Sequence, residues 1–458
     1  MELYAWQKEL LNKFIKDGGL AVQAPTGAGK GIMGAKLIGT LYQSCYINTL
    51  VVCPPHLISD WTNKLMDEGI SQDAIVELSK KQKGYQQGKI NIISYNKMVL
   101  YANELFKTVP MNTIVVYDEA HKLKNWKSKS ARTALKLTNL ANTRNFLISA
   151  TLITKGNLDL FTIAQLSNKV FRAKYKTFWV FQQTGAVKVQ RIFLSNRTVD
   201  KPMYIHDRPL KELVLKSIKF PTIKMDTPIE YIDIPIPVTK EVDKIIKRLG
   251  KENLAEELEQ KMGELDMKQI QDYLHTIQNN HPKLLQLANN FYYEIGDGEP
   301  KFFKYNDKLA MVDSIVKTEA EANHKGILFY FYNAEYKKLV EKYQGKSNVY
   351  FFKRGVDVTK QINDFENGNY DLFIVNIASL GEGVRFKKTH YIIEFTTVLD
   401  YGRVIQGEGR LRYSGRKDGY KVYRLYNSSR HLQGFFRGVN NVKKKINELN
   451  KELQEFSK

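Results

Sequence analysis

The chain has 458 residues, more than one core usually holds, so two or three domains are expected. Hydrophobic residues are 43% of it and aromatics 12%, which excludes a disordered chain, and no run of about 18 apolar residues offers a membrane span. The formal charge of +22, from 70 Lys and Arg against 48 Asp and Glu, exceeds what an enzyme of small metabolites needs and points to a polyanion partner; a surface charged for solubility is the alternative.

The opening MELYAWQKEL brings charges early and lacks the apolar stretch of a signal peptide. From residue 20 to residue 165 apolar runs alternate with helical patterns. Leu20–Ala24, Thr49–Cys53, Ile90–Ser94, Thr113–Tyr117 and Asn145–Ser149 are predicted strands; Ile32–Leu41, His56–Glu68 and Ser130–Leu140 are predicted helices. Continuous apolar strands spaced by helices imply a parallel sheet covered on both faces. Cys45 and Cys53 are the only cysteines, which excludes a disulfide framework and implies a reducing cytoplasm, and the four-ligand Cys/His zinc pattern is absent.

The middle of the chain differs. Lys169–Lys224 holds 13 basic and 3 acidic residues, with Phe171, Tyr175, Phe178, Trp179 and Phe181 interleaved, and Val187–Leu194 alternates as an exposed hairpin would. Thr227–Val238 reads as extended, punctuated by Pro228, Pro235 and Pro237. Thr239–Asp272 reads as helix with nine acids and seven bases, and Gly296–Pro300 as a hinge. Lys308–Glu319 then opens a second α/β pattern of about 150 residues. Its predicted strands are Gly326–Tyr330, Asn348–Phe352, Asp371–Asn376, Tyr391–Glu394 and Tyr420–Tyr426. The expected division is an α/β lobe over 1–168, a basic, aromatic insert with a return to that lobe over 169–238, a helical segment over 239–297 and a second α/β lobe over 298–458. Lys443–Lys445 reads as a solvated helix face.

Two stretches carry the chemistry. APTGAGKG (Ala24–Gly31) joins a strand to a helix. Its small residues let backbone N–H groups converge on phosphate oxygens, the helix presents its N-terminal dipole to the same anion, and Lys30 can reach the outer phosphates. YDEAHKLKN (Tyr117–Asn125) sets Asp118 and Glu119 at the end of a strand, where α/β sheets bind ligands. Asp118 can hold magnesium, directly or through water, and Glu119 can orient and deprotonate an attacking water. Taken singly these are a glycine turn and an acidic turn; paired, they predict hydrolysis of a nucleoside triphosphate.

With those residues in place the chain resembles superfamily 2 helicases and translocases of the Swi/Snf-like branch, over nearly its whole length. The resemblance runs in order through LYAWQKELL (Leu3–Leu11), Ala24–Gly31, LVVCPPHLISDW (Leu50–Trp61), IISYNKM (Ile92–Met98), DEAH (Asp118–His121), LISAT (Leu147–Thr151), ILFYFYNAEYKKL (Ile327–Leu339), SLGEGVRF (Ser379–Phe386) and QGEGRLRYSGR (Gln406–Arg416). It implies two RecA-like lobes with ATP in the cleft between them. Tyr4 and Gln7 would read adenine; Thr26, Gly27, Ala28, Gly29, Lys30 and Gly31 would hold the phosphates; Asp118 would hold Mg2+. Arg410 would be the arginine finger, with Arg412 beside it, and His121, Ser149, Thr151 and Gln406 would couple hydrolysis to DNA.

Two positions depart from the family. Gly31 stands where it carries a metal-binding Thr or Ser, so a water or Thr26 would have to substitute. Replacing Gly31 by Thr should then lower the magnesium requirement, provided the side chain fits. The family's second finger arginine falls on Tyr413, so Arg412 or Arg416 takes its role or nothing does.

The expected function is an ATP-dependent DNA translocase or helicase of replication, recombination or repair, with ATP and Mg2+ as cofactors and DNA as partner; RNA is also compatible. The setting expected is a monomer in a bacterial or phage-infected cytosol, with replication or single-strand-binding proteins as further partners. Lys174, Lys176, Lys188 and Arg191 are the insert's candidate DNA contacts, its aromatics serving for base stacking or for packing on the lobe. The alternatives are the motor subunit of a restriction or repair assembly, and an ATP-switched nucleic-acid-binding protein with little turnover.

Overall fold

The apolar runs of residues 19–149 lie side by side in one sheet. In the computed structural model, residues 2–45, 48–154, 156–194, 197–223, 227–249, 282–292, 299–303, 307–380, 385–397, 404, 407–412, 416, 418–432, 444 and 446–455 are described. They divide into two units, residues 1–224 with 446–458, and residues 225–445.

In the first unit, helix α1 (Ala5–Asp17) leads into β1 (Gly19–Gln23). Helix α2 (Lys30–Cys45), β2 (Thr49–Cys53), α3 (Ile58–Asp67), β3 (Ile75–Glu77), β4 (Ile90–Ser94), β5 (Ile114–Asp118) and β6 (Arg144–Ser149) follow. The insert supplies a hairpin of β7 (Val187–Leu194) and β8 (Arg197–Ile205), then β9 (Ile218–Lys219). The sheet order is β3-β4-β2-β5-β6-β1-β9, and every pairing in it is parallel. β2, β4 and β5 are buried along their whole length because helices cover both faces, which is why they read as unbroken apolar runs. Leu20, Val22, Met33, Val51, Trp61, Ile92, Val116 and Phe146 share one core.

The second unit repeats the architecture. β10 (Ile229–Ile236), β13 (Lys325–Tyr330), β14 (Val349–Phe351), β15 (Leu372–Asn376), β16 (Thr389–Glu394) and β17 (Tyr420–Asn427) form a parallel sheet in the order β10-β17-β16-β13-β15-β14. A core lies on each face, one around Val312, Leu328 and Ile393, the other around Phe365, Phe373 and Phe386. A separate antiparallel pair joins β11 (Phe291–Tyr292) to β12 (Lys301–Phe302).

The α/β class and the two parallel sheets follow the expectation; two boundaries are corrected. The insert does return to the first sheet, but at Ile218–Lys219, beside β1. Ile229–Ile236 instead pairs with β17 as the edge strand of the second sheet. An edge position explains how a strand keeps Pro235, which has no N–H to give to a further neighbour. Residues 446–455, expected in the second lobe, form a helix of the first unit, where Asn450 Oδ1 accepts from Gln23 Nε2 at 3.0 Å.

Of the predicted 239–272 helix, Lys240–Leu249 is helical and the rest lies outside the described residues, as does most of the Gly296–Pro300 hinge. Lys444 is exposed on a helix; Lys443 and Lys445 lie outside the described residues, as does the Cys45 side chain, while Cys53 is buried and free. No helix among the described residues is long and apolar enough to cross a membrane.

Candidate active site

Three neighbouring strands stop together. Gln23 at the end of β1 faces Ser149 at the end of β6, and Ile148 of β6 faces Asp118 at the end of β5. The carboxyl edge of a parallel sheet is where loops leaving adjacent strands can close around one ligand.

The loop after β1 needs its glycines. Gly27 and Gly29 have φ of +86° and +76°, a backbone region that side chains with a Cβ enter only under strain. Successive N–H groups in such turns point into one concavity, and α2 begins at its rim with Lys30. The Lys30 ammonium donates to the carbonyls of Ala24 at 2.8 Å and Pro25 at 2.9 Å. Thr26 Oγ1 is buried and has no hydrogen-bond partner among the described residues. A buried hydroxyl of that kind calls for a ligand or a water, so Thr26, the glycine concavity and Lys30 fit a phosphate group and a magnesium ion held beside it.

Gln7 lies against this loop. Its Nε2 donates to the carbonyls of Ala28 at 3.2 Å and Gly29 at 3.3 Å, and its Oε1 accepts from Tyr4 N at 2.9 Å. The Tyr4 side chain is 52% exposed. Of the two candidate base-reading residues, Gln7 is therefore tied to the phosphate loop itself and Tyr4 is tied to Gln7.

Asp118 is buried. Burial, reinforced by the neighbouring Glu119 charge, pushes its carboxyl up to about 6, against the pull of Lys64, the Trp61 hydrogen bond and Lys30. Oδ2 accepts from Trp61 Nε1 at 2.8 Å and Oδ1 from the Glu119 N–H at 2.9 Å, while the Tyr95 hydroxyl donates to the Asp118 carbonyl at 2.7 Å. Trp61 and Tyr95 belong to stretches read as motifs, but nothing in one dimension pairs them with Asp118; α3 and the helix that starts directly after β4 (Tyr95–Leu100) bring them in. Since a proton competes with a metal for this carboxylate, magnesium-dependent nucleotide binding should weaken as pH falls through about 6. Trp61→Phe removes a bond that favours the charged form, so the midpoint should move to higher pH. Magnesium titrations of nucleotide binding either side of that value check the sign.

Glu119 adopts the left-handed region, φ 53° and ψ 50°, unusual for a residue with a side chain and held only where surroundings impose it. Its Oε2 accepts from Ser149 Oγ at 3.3 Å and lies 3.2 Å from His121 Nδ1. His121 Nδ1 is also 3.1 Å from Ser149 Oγ, and that oxygen accepts from Thr151 N at 3.1 Å. Thr151 Oγ1 is buried without a partner among the described residues. Glu119, His121, Ser149 and Thr151 thus form one contiguous polar group across the ends of β5 and β6.

At Gly31 an added Cβ would lie 2.7 Å from Lys64 Nζ, the far end of a flexible side chain, so a threonine fits once that ammonium moves aside.

In the second unit, Arg410 is buried, with Nη2 donating to the Leu380 carbonyl at 3.2 Å. Arg416 is held by the carbonyls of Thr389 at 2.7 Å, Asp418 at 3.0 Å and Leu411 at 3.2 Å. That is a structural anchorage, which argues against Arg416 as a stand-in finger. Arg412 Nε has no hydrogen-bond partner among the described residues. Gln406, Tyr413 and residues 381–384 of the SLGEGVRF stretch lie outside the described residues.

The insert's aromatics are mainly core. Phe171, Tyr175, Phe178 and Phe181 are buried and pack on one another and on Phe161, with centroid distances from 4.9 to 5.8 Å. Trp179 is 66% exposed. Lys174, Lys176 and Lys188 are exposed; Arg191 sits on β7, and its side chain lies outside those described.

The DNA repair and recombination protein RDH54 of Saccharomyces cerevisiae is 28% identical over 187 residues, covering 33% of this chain and 20% of that protein. This chain therefore spans about a fifth of the length of the curated relative it matches. Among solved structures, the Sulfolobus solfataricus SWI2/SNF2 ATPase core in complex with dsDNA has 15% identity and a TM-score of 0.39, over 100% of this chain and 97% of that one. Saccharomyces cerevisiae Dbp5 bound to RNA and ADP BeF3 has 11% identity and a TM-score of 0.49, over 96% of this chain and 89% of that one. The model of the SNF2-related domain family matches residues 10–227, which contain the phosphate loop, Asp118, Glu119 and the Ser149–Thr151 turn. Over residues 10–227, somewhat under half of its length, the chain is therefore similar to the SNF2-related domain family.

Proposed function

We propose that this protein is a DNA-stimulated ATPase that moves along or remodels DNA in replication, recombination or repair. The observation that carries the reading is the meeting, at the carboxyl ends of β1, β6 and β5, of a glycine loop with Lys30, the Asp118–Glu119 pair and the His121–Ser149–Thr151 group. Lys30 would exchange the carbonyls of Ala24 and Pro25 for phosphate oxygens. Asp118 and the Thr26 hydroxyl would hold magnesium, which supplies charge neutralisation at the phosphates when bound. Glu119 would take the proton of the attacking water. Ser149 and His121, both bonded to that carboxylate, would report its state to the surface that grips DNA. Turnover measured across single-stranded, double-stranded and branched DNA, and across RNA, tests the reading; a rate that none of them raises would sink it.

Gly31 favours a second reading, an ATP-switched DNA-binding protein with little turnover, because a hydroxyl that would fix one metal position is missing. The same assay separates the two.

The insert would extend the DNA path. Its basic excess is surface charge, with Lys174, Lys176 and Lys188 exposed around a rigid aromatic base. Each phosphate neutralised adds about 0.9 to the slope of log affinity against log salt on duplex DNA. Neutralising Lys174, Lys176, Lys188 and Arg191 together should weaken binding and flatten that slope by up to about 3–4 if all four touch phosphate. ATPase activity without DNA should persist. A salt titration that leaves slope and affinity unchanged would remove the insert from the DNA path.

A further inference from the structure

Gly31 and Lys64 occupy one space. An ideal Cβ on Gly31 would lie 2.7 Å from Lys64 Nζ, 3.4 Å from its Cε and 3.6 Å from its Cδ. Gly31 follows Lys30 at the start of α2, the position at which the phosphate loop of related proteins carries a hydroxyl. In this chain that volume is filled from α3 by a lysine whose side chain is 26% exposed. The ammonium pairs with Asp60 one turn earlier and lies 5.9 Å from the centre of the Trp61 ring. Trp61 in turn holds Asp118. Lys64 also acts on the Asp118 carboxyl more strongly than Lys30 does. The pair is only partly buried and joins residues four apart on one helix, a type that contributes little, so a phosphate can draw the ammonium from Asp60.

We propose that Lys64 is a second phosphate-binding cation of the nucleotide site, occupying the space left at Gly31 and supplying part of the charge that magnesium would. The absence of a side chain at Gly31 is what admits it, so the two positions act as a unit. This rests on the reading of the site as a nucleotide site. It deepens that reading by making nucleotide binding less dependent on the metal than a hydroxyl-bearing loop would be.

The test is direct binding of a fluorescent ATP analogue, with magnesium and with EDTA, to the full chain and to Lys64→Ala, Lys64→Arg, Gly31→Ser and the double variant Gly31→Ser with Lys64→Ala. The parent should keep measurable affinity in EDTA. Lys64→Ala should lower that metal-free affinity by about tenfold or more, the range for a hydrogen bond to a charged group, and lower the magnesium-bound affinity less. Lys64→Arg should retain most of the metal-free binding. Gly31→Ser alone pushes the ammonium aside and should also lose metal-free binding. The double variant has room for the hydroxyl and should need less magnesium than Lys64→Ala. Thermal melting of each variant confirms folding. A parent that binds with Lys64→Ala indistinguishable from it in EDTA overturns the proposal and leaves the nucleotide site standing. A parent that binds no nucleotide in either condition overturns both.

Discussion

Lys30→Ala should lose nucleotide binding, and Glu119→Gln should keep binding while losing turnover. The two substitutions probe different acts of one site. Lys30 carries the charge that the phosphates would meet, and its ammonium already lies at the floor of the loop, on the carbonyls of Ala24 and Pro25. Removing it withdraws charge-assisted hydrogen bonds of about 1.5–3 kcal/mol each. Glu119→Gln keeps the volume, and a glutamine oxygen still accepts from Ser149, so the polar group around His121 persists. What goes is the base: a positioned proton acceptor contributes about 10²–10⁴ to rate. Turnover and equilibrium nucleotide binding measured on the same preparations make the check. Parent-like ATPase in both variants would remove the site from Ala24–Gly31 and Asp118–Glu119.

Arg410→Ala should lower turnover by about 10³-fold or more, the effect of losing an arginine that stabilises charge on a transferred phosphoryl group, with DNA affinity little changed. Its guanidinium is buried with Nη2 on the Leu380 carbonyl, an arrangement that fixes its direction. Arg412→Ala should have a smaller effect on rate than Arg410→Ala. Arg416→Ala should act on stability instead, because its three backbone partners would be left unpaired at about 1–3 kcal/mol for each buried group. Single-turnover rates and melting temperatures on the three variants separate the roles. A nearly active Arg410→Ala, or an Arg416→Ala that melts as the parent but has lost its rate, would reverse the assignment.

Much of the fold was legible in one dimension. Thr49–Cys53 and Ile90–Ser94 are strands with the bounds their apolar runs set, because a strand buried on both faces must be apolar throughout. The glycine loop and the DEAH stretch were legible as local patterns: glycines at fixed spacing, two of them with positive φ, and two carboxylates directly after an apolar run. The insert's bulk was visible as charge, but the division of its aromatics was not. Phe171 and Phe181 differ from Trp179 only in which side of a short helix faces Phe161, and the partner surface decides that.

What the sequence by itself determined about this protein was therefore the class of fold, the order of its strands along the chain and the two stretches that meet at the sheet's edge, since each is a local pattern. The tertiary structure alone decided which sheet receives Ile229–Ile236, where residues 446–455 return, and what stands beside Asp118 and Gly31. Trp61 is 57 residues from Asp118 in the chain and Lys64 is on the same helix, so both reach the site only when α3 packs across the sheet. The missing hydroxyl at Gly31 reads in one dimension as a loss. In three dimensions it is a space already filled by a charge, because packing places side chains by distance and not by order along the chain.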